Sequence, residues 1–178
     1  MNKIKRYGII SGIILIIAVS LTSFMFSHRN HRTAFVKMED LYSDFSMKQQ
    51  LEKKLKETEQ ARKFVIDSMR IQMQQMTDQL KRLPTIDTAT LRIYNLRQDY
   101  FEQKQQEFAQ DNNALAQQYT EQIWTQINQY TRDYGKENGF NYIFGASGDG
   151  VLMYADDSED ITADLKIYIN EKYQGKAK

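Results

Sequence analysis

Few side chains in this chain have the types and spacing that chemistry needs. Met69, Met73 and Met76 recur at steps of four and three, one face of a helix. Their thioethers could hold Cu(I), or could form an adaptable apolar surface. The plainer reading is a packing seam between helices. Gly145 to Gly150 invites comparison with a nucleophile elbow or a phosphate loop. An elbow needs Gly two residues after its Ser, and Asp149 stands there. A phosphate loop needs Gly-Lys-Ser/Thr, and no Lys is near. The segment reads as a turn. Asp156, Asp157, Glu159 and Asp160 cluster, but without the spacing or the Gly of an EF-hand, so they read as a solvated loop and a helix cap.

His28 and His31 are the only histidines, and they alternate with Arg29 and Arg32 in a basic collar. The chain has no Cys, which excludes disulfides, thiolate metal sites and lipid attachment at an N-terminal Cys. Acid–base chemistry at neutral pH has almost no candidates. We expect no catalytic residues, no metal and no cofactor, so the chain reads as a binding protein and not an enzyme. Trp124, Tyr130 and Tyr134 could form a stacking platform, but helical spacing favours a place where arms pack onto a body.

The elements that must position these residues are long. From Glu39 to Asn138 the chain is about a hundred residues of polar, Gln-rich helix, and the only Pro, Pro84, breaks it. Most of the eighteen Gln lie between Gln49 and Gln129. Gln is an uncharged, good helix former that suits a long solvated helix. The pattern predicts two arms folded into a coiled hairpin. The outbound arm, 39–83, would reach about 65 Å. Its seam would run through Leu51, Leu55, Val65, Met69, Met73, Met76, Leu80 and Leu83. Thr58 and Arg62 fall on that seam, which predicts loose packing there. Thr85 or Asp87 can cap the return arm. Its apolar positions, Ile93, Leu96, Tyr100, Phe108, Leu115, Tyr119, Ile123, Ile127, Tyr130 and Tyr134, read as a face against the first arm. Gly139 can end it.

Strands are expected near 34–38, 142–145 and 151–154, the last two as a hairpin. A last helix is expected over 160–173, capped by Ser158 or Asp160. The fold class is α+β, mostly α: a long coiled hairpin on a small sheet body. Three short strands and one helix make too small a core, and their open edges need covering. The body is expected to be completed by further copies of the chain. Phe35, Val36, Ile143, Phe144, Val151 and Leu152 are the expected oligomer interface. Met69, Met73, Met76, Leu80, Ile93 and Tyr100 are the expected binding surface of the arms.

Tyr7 to Phe26 is twenty residues without a charge, preceded by Lys3, Lys5 and Arg6. At about 1.5 Å per residue it spans one bilayer core. It reads as an uncleaved N-terminal transmembrane anchor within residues 1–32, with a signal peptide as the alternative. More positive charge precedes the span than follows it, so residues 33–178 would lie outside the inner membrane. Those residues carry 19 basic and 23 acidic side chains. A mildly acidic body argues against a nucleic-acid partner.

Three stretches resemble the OmpH/Skp family of periplasmic chaperones. They are Ala34-Phe35-Val36-Lys37-Met38-Glu39-Asp40-Leu41, the segment Tyr142-Ile143-Phe144-Gly145 through Val151-Leu152-Met153-Tyr154-Ala155, and the run Asp156-Asp157-Ser158-Glu159-Asp160-Ile161-Thr162-Ala163-Asp164-Leu165. The family usually has Asp or Asn where this chain has Lys37. The resemblance implies a jellyfish-shaped homotrimer whose strands form a central body. Unfolded outer-membrane proteins would be held, without ATP, between hanging helical hairpins. Two departures stand out. Characterised members have strongly basic arms and a cleaved signal peptide. Here 39–83 carries nine basic and eight acidic residues, 85–139 carries five and eight, and an anchor precedes them. The alternative function is a membrane-anchored structural adaptor whose hairpin binds one folded partner in an envelope complex.

Overall fold

A computed structural model describes residues 32–176. The expected anchor at Tyr7–Phe26 and the pair His28 and His31 lie outside the described residues. In chain order the elements are β1 (Thr33–Lys37), α1 (Met38–Ser43), α2 (Ser46–Arg82), α3 (Thr88–Glu137), β2 (Tyr142–Ala146), a single 3-10 turn (Asp157–Glu159) and α4 (Thr162–Tyr173). The helices α2 and α3, about 55 and 75 Å long, form the hairpin.

Pro84 falls in the turn between them. The Asp87 carboxylate starts α3 by accepting from the Thr90 backbone N–H at 2.8 Å and from the Thr90 hydroxyl at 2.9 Å. Those bonds hold the carboxyl below its ordinary pKa of 3.8. Gly139 ends α3 with a φ of 71°, a conformation that a Cβ would strain.

The outbound arm is not one continuous helix. Between α1 and α2 the chain kinks at Asp44 and Phe45, and Phe45 is extended with its ring fully buried. Asn170 of α4 mends the break. Its Oδ1 accepts from Ser46 N at 2.7 Å, and its Nδ2 donates to the Asp44 carbonyl at 3.2 Å. Both groups belong to helix ends that would otherwise lack partners.

The sheet differs from the expected antiparallel hairpin. β2 pairs with β1, in parallel, with Thr33 opposite Tyr142 and Phe35 opposite Phe144. Parallel neighbours need a long crossover, and here the whole hairpin supplies it. Residues 151–154 form no strand with 142–146; among the described residues the sheet has two strands. The physical reason lies in the turn between them. Gly148 and Gly150 take φ of 77° and 89°, and the Asp149 carboxylate accepts from Val151 N at 3.2 Å. This local turn carries the chain away from β2. The other edge of β1 is closed by the 160–162 segment, where Ile161 N donates to the Phe35 carbonyl at 3.0 Å and Lys37 N donates to Thr162 Oγ1 at 2.9 Å. β2 keeps an open edge.

One small core ties these parts together. Ala34, Val36, Leu41, Phe45, Leu51, Ile123, Ile127, Ile161, Leu165 and Ile169 are buried in it. It sits where the arms root, not along them. Lys37 and Asp160 pair across its rim at 2.9 Å.

Candidate functional site

The aromatic residues Trp124, Tyr130 and Tyr134 pack inward at the root. Trp124 stacks on Tyr42 with ring centroids 4.8 Å apart, Tyr130 meets Phe45 edge-on, and Tyr134 lies between Phe140 and Tyr168. Burial raises the pKa of the Tyr130 and Tyr134 hydroxyls above 10.0. They join arms to body, as their spacing predicts, and leave no stacking platform free. The acidic cluster is committed to local bonds. Asp156 accepts from Ser158, and Asp160 accepts from Thr162 N at 2.9 Å. Among the described residues no group of His, Asp and Glu could hold a metal ion.

Beyond Leu51 the arms have no buried side chain until Ile123 on the way back. Met69, Met73, Met76 and Leu80 lie half-buried on the inner face of α2. Val65 and Leu83 are exposed, and Ile66 takes the inner position expected of Val65. Thr77 on the inner face bonds across to the Tyr94 hydroxyl at 3.2 Å. The return arm corrects one further expectation. Ile93, Leu96 and Tyr100 are exposed, and the half-buried positions include Thr90, Tyr94, Phe101, Lys104, Phe108 and Asn112. The seam of α3 passes through polar residues, so an apolar-only pattern gave the wrong rotation near the tip. Nor is the seam loose at Arg62. Its guanidinium bonds Asn112, pairs with Asp111 at 3.3 Å and lies 5.6 Å from the Phe108 ring centre. An Arg whose methylenes pack while its head pairs fills a gap that an alkyl chain would leave.

Two features follow from this architecture. The first is a run of exposed apolar side chains on the arms: Phe64 (73% exposed), Ile71, Leu91, Ile93, Leu96 and Tyr100. Between the arms Met69, Gln72 and Met73 of α2 face Arg97, Tyr100 and Phe101 of α3 across an open cleft of ≈ 400 Å³. Of the expected arm-surface residues, Met69, Met73 and Tyr100 line that cleft, while Met76 and Leu80 stay in the seam nearer the tip.

The second is the outer face of the sheet. Tyr142 and Phe144 stack there 6.1 Å apart, both exposed. Beside them a cleft of ≈ 240 Å³ is lined by Phe35, Phe144, Leu152 and Tyr154. Val151, Met153 and Tyr154 are 79%, 86% and 83% exposed. Sequence reasoning named Val151 and Leu152 but omitted Tyr142, Met153 and Tyr154, although strand alternation sets Tyr142 on the face of Phe144. Val36 and Ile143 turn the other way. Val36 is buried in the core, and Ile143 packs on α3, where a Cβ at Gly135 would meet its Cδ1 at 3.3 Å.

Among the described residues no helix is long and apolar enough to cross a membrane. A search of curated proteins gives no match. A family model described as "Outer membrane protein (OmpH-like)" matches residues 32–168, which run from the first residue of the body into α4. That match spans both strands, the hairpin and the closing helix start, so the chain belongs to the OmpH/Skp family, which is associated with periplasmic chaperone function.

Proposed function

We propose that this chain is an ATP-independent holdase that keeps unfolded outer-membrane and other envelope proteins soluble in the periplasm. The carrying observation is the run of apolar side chains left exposed on arms with no core behind them, Phe64, Ile71, Leu91, Ile93, Leu96 and Tyr100. Exposed apolar surface in a soluble region marks a place where something binds. A spread-out, shallow surface suits a chain with no fixed shape, because each contact is weak and replaceable. Met69 and Met73 add side chains that adapt to varied partners.

The assembly is a homotrimer built through the outer sheet face. The open edge of β2, with Tyr142 and Phe144, would take the unpaired 151–154 segment of a second copy, which removes an exposed edge and covers Val151 and Met153. Three hairpins around one body multiply weak contacts through effective concentration. The Tyr7–Phe26 segment would tether the trimer to the inner membrane, with the body in the periplasm.

The test is aggregation of a urea-unfolded outer-membrane barrel protein on dilution. The assembled chain, without nucleotide, is expected to keep it soluble as a discrete complex. Aggregation at the rate seen without the chain, together with tight capture of one folded envelope protein, would assign the hairpin to an adaptor instead.

A further inference from the structure

The cleft between the arms combines two recognition chemistries. The α2 wall brings the thioethers of Met69 and Met73, and the α3 wall brings the rings of Tyr100 and Phe101 with Arg97 at the same opening. Five cations along the hairpin are paired, Lys48 with Glu52, Lys53 with Glu57, Arg62 with Asp111, Arg70 with Asp67 and Lys104 with Glu107. Among the described residues Arg97 has no carboxylate partner, and its side chain is exposed. The surrounding charge agrees. Residues 62–110 carry eight basic and six acidic side chains, whereas 33–61 and 111–176 together carry ten and seventeen. Within residues 33–176 the arms beyond the root are therefore the electropositive part.

We propose that this cleft is a subsite for client segments in which an aromatic side chain lies next to a carboxylate. This deepens the holdase reading and rests on it. The opening of ≈ 400 Å³ lies in the range of small-ligand pockets and is too small for a folded surface. An aromatic ring seated there meets sulfur at Met69 and Met73 and ring edges at Tyr100 and Phe101. The neighbouring carboxylate meets the Arg97 guanidinium, whose fork matches it with two parallel bonds. A segment with Lys in place of the acid meets a like charge instead.

The test uses the assembled full-length chain and fluorescein-labelled, end-capped peptides with Gly-Ser flanks around Phe-Glu, Phe-Lys or Ala-Glu, read by anisotropy. Phe-Glu is expected to bind about tenfold tighter than either other peptide. Arg97→Glu should reverse the charge preference toward Phe-Lys, and Met73→Gln should bring Phe-Glu down toward Ala-Glu. Arg97 is exposed, so its variant keeps the fold, and holding of an unfolded barrel protein is measured in parallel. Equal binding of the three peptides, or no reversal in Arg97→Glu, overturns the subsite while holding of the barrel protein leaves the chaperone reading intact. Peptide discrimination without barrel holding would retain the subsite and remove the holdase.

Discussion

Tyr42 stacks on Trp124 with ring centroids 4.8 Å apart and 25° between the planes. The pair joins α1, at the entry to the body, to α3, at the root of the return arm. Trp124 is the only Trp, so its emission reports this joint. Tyr42→Ala is expected to shift that emission and to cost about 1 kcal/mol beyond the lost burial. Urea denaturation followed by Trp fluorescence checks it. An unchanged midpoint would mean that the stack adds nothing to the joint.

The outer sheet face gives a prediction about assembly. Phe144→Asp and Val151→Asp place charge on exposed positions and should leave the fold of each chain intact. Both are expected to reduce the particle from trimer to monomer by light scattering while the far-UV spectrum stays the same. Ile143→Asp is expected to unfold the body, because Ile143 packs inward on α3. A trimer that survives both outer-face variants would move the interface elsewhere.

Acid should loosen the body through Asp160. Burial pushes the Asp160 carboxyl up, but the Thr162 hydroxyl and the Lys37 ammonium outweigh it and hold the pKa below 3.8. A depressed folded pKa gives stability that is full above the unfolded value and is lost as pH falls through the folded one. The loss therefore lies below about pH 4. Lys37 is raised above 10.5 by Asp160, so its share is present below that value and is lost at higher pH. Between about pH 5 and 10 the pair's contribution is flat. Comparing Tm against pH for the parent and Asp160→Asn checks this: the gap should begin to close as pH falls below about 4 and go on closing as it falls through the lowered folded pKa. A constant gap would show that the carboxylate's charge is not what matters.

Gly145 lies under Met38. A Cβ there would come within 2.7 Å of the Met38 sulfur, so Gly145→Val should cost about 1–3 kcal/mol. Shortening the obstacle with Met38→Ala should recover part of that loss in the double variant. Denaturant midpoints of the four proteins decide it, and additive losses would contradict the contact.

The arms were legible in the sequence because their signals are local. Pro84 marks the turn, Asp87 sits three residues before the N–H it caps, and Gly139 ends α3 by its own backbone freedom. The parts that were not legible depend on distant partners. The kink at Asp44 and Phe45 exists because Asn170, more than a hundred residues later, satisfies both broken ends. The parallel pairing of β1 with β2 joins segments more than a hundred residues apart, and the nearer 151–154 segment had the better local pattern. The seam near Arg62 and Asn112 is polar, so the apolar spacing that located Met69 and Met73 lost the rotation of α3 there. The core of the sheet was half legible: alternation was visible, but which face turned inward was decided by α3 and α4.

If the arms hold clients, their outer parts should be separable from assembly. Replacing residues 76–94 by a short turn keeps the root and the sheet, and should spare the trimer. Client holding should weaken several-fold, read as the chaperone concentration that halves aggregation. Unchanged holding would place the client surface nearer the body.

The most direct test is particle mass by light scattering, for the assembled chain alone and with a urea-unfolded outer-membrane barrel protein. The account predicts a trimer of the 21.0 kDa chain that becomes one larger, discrete and soluble complex when the client is added. A stable monomer, or a trimer beside which the client aggregates freely, would contradict it.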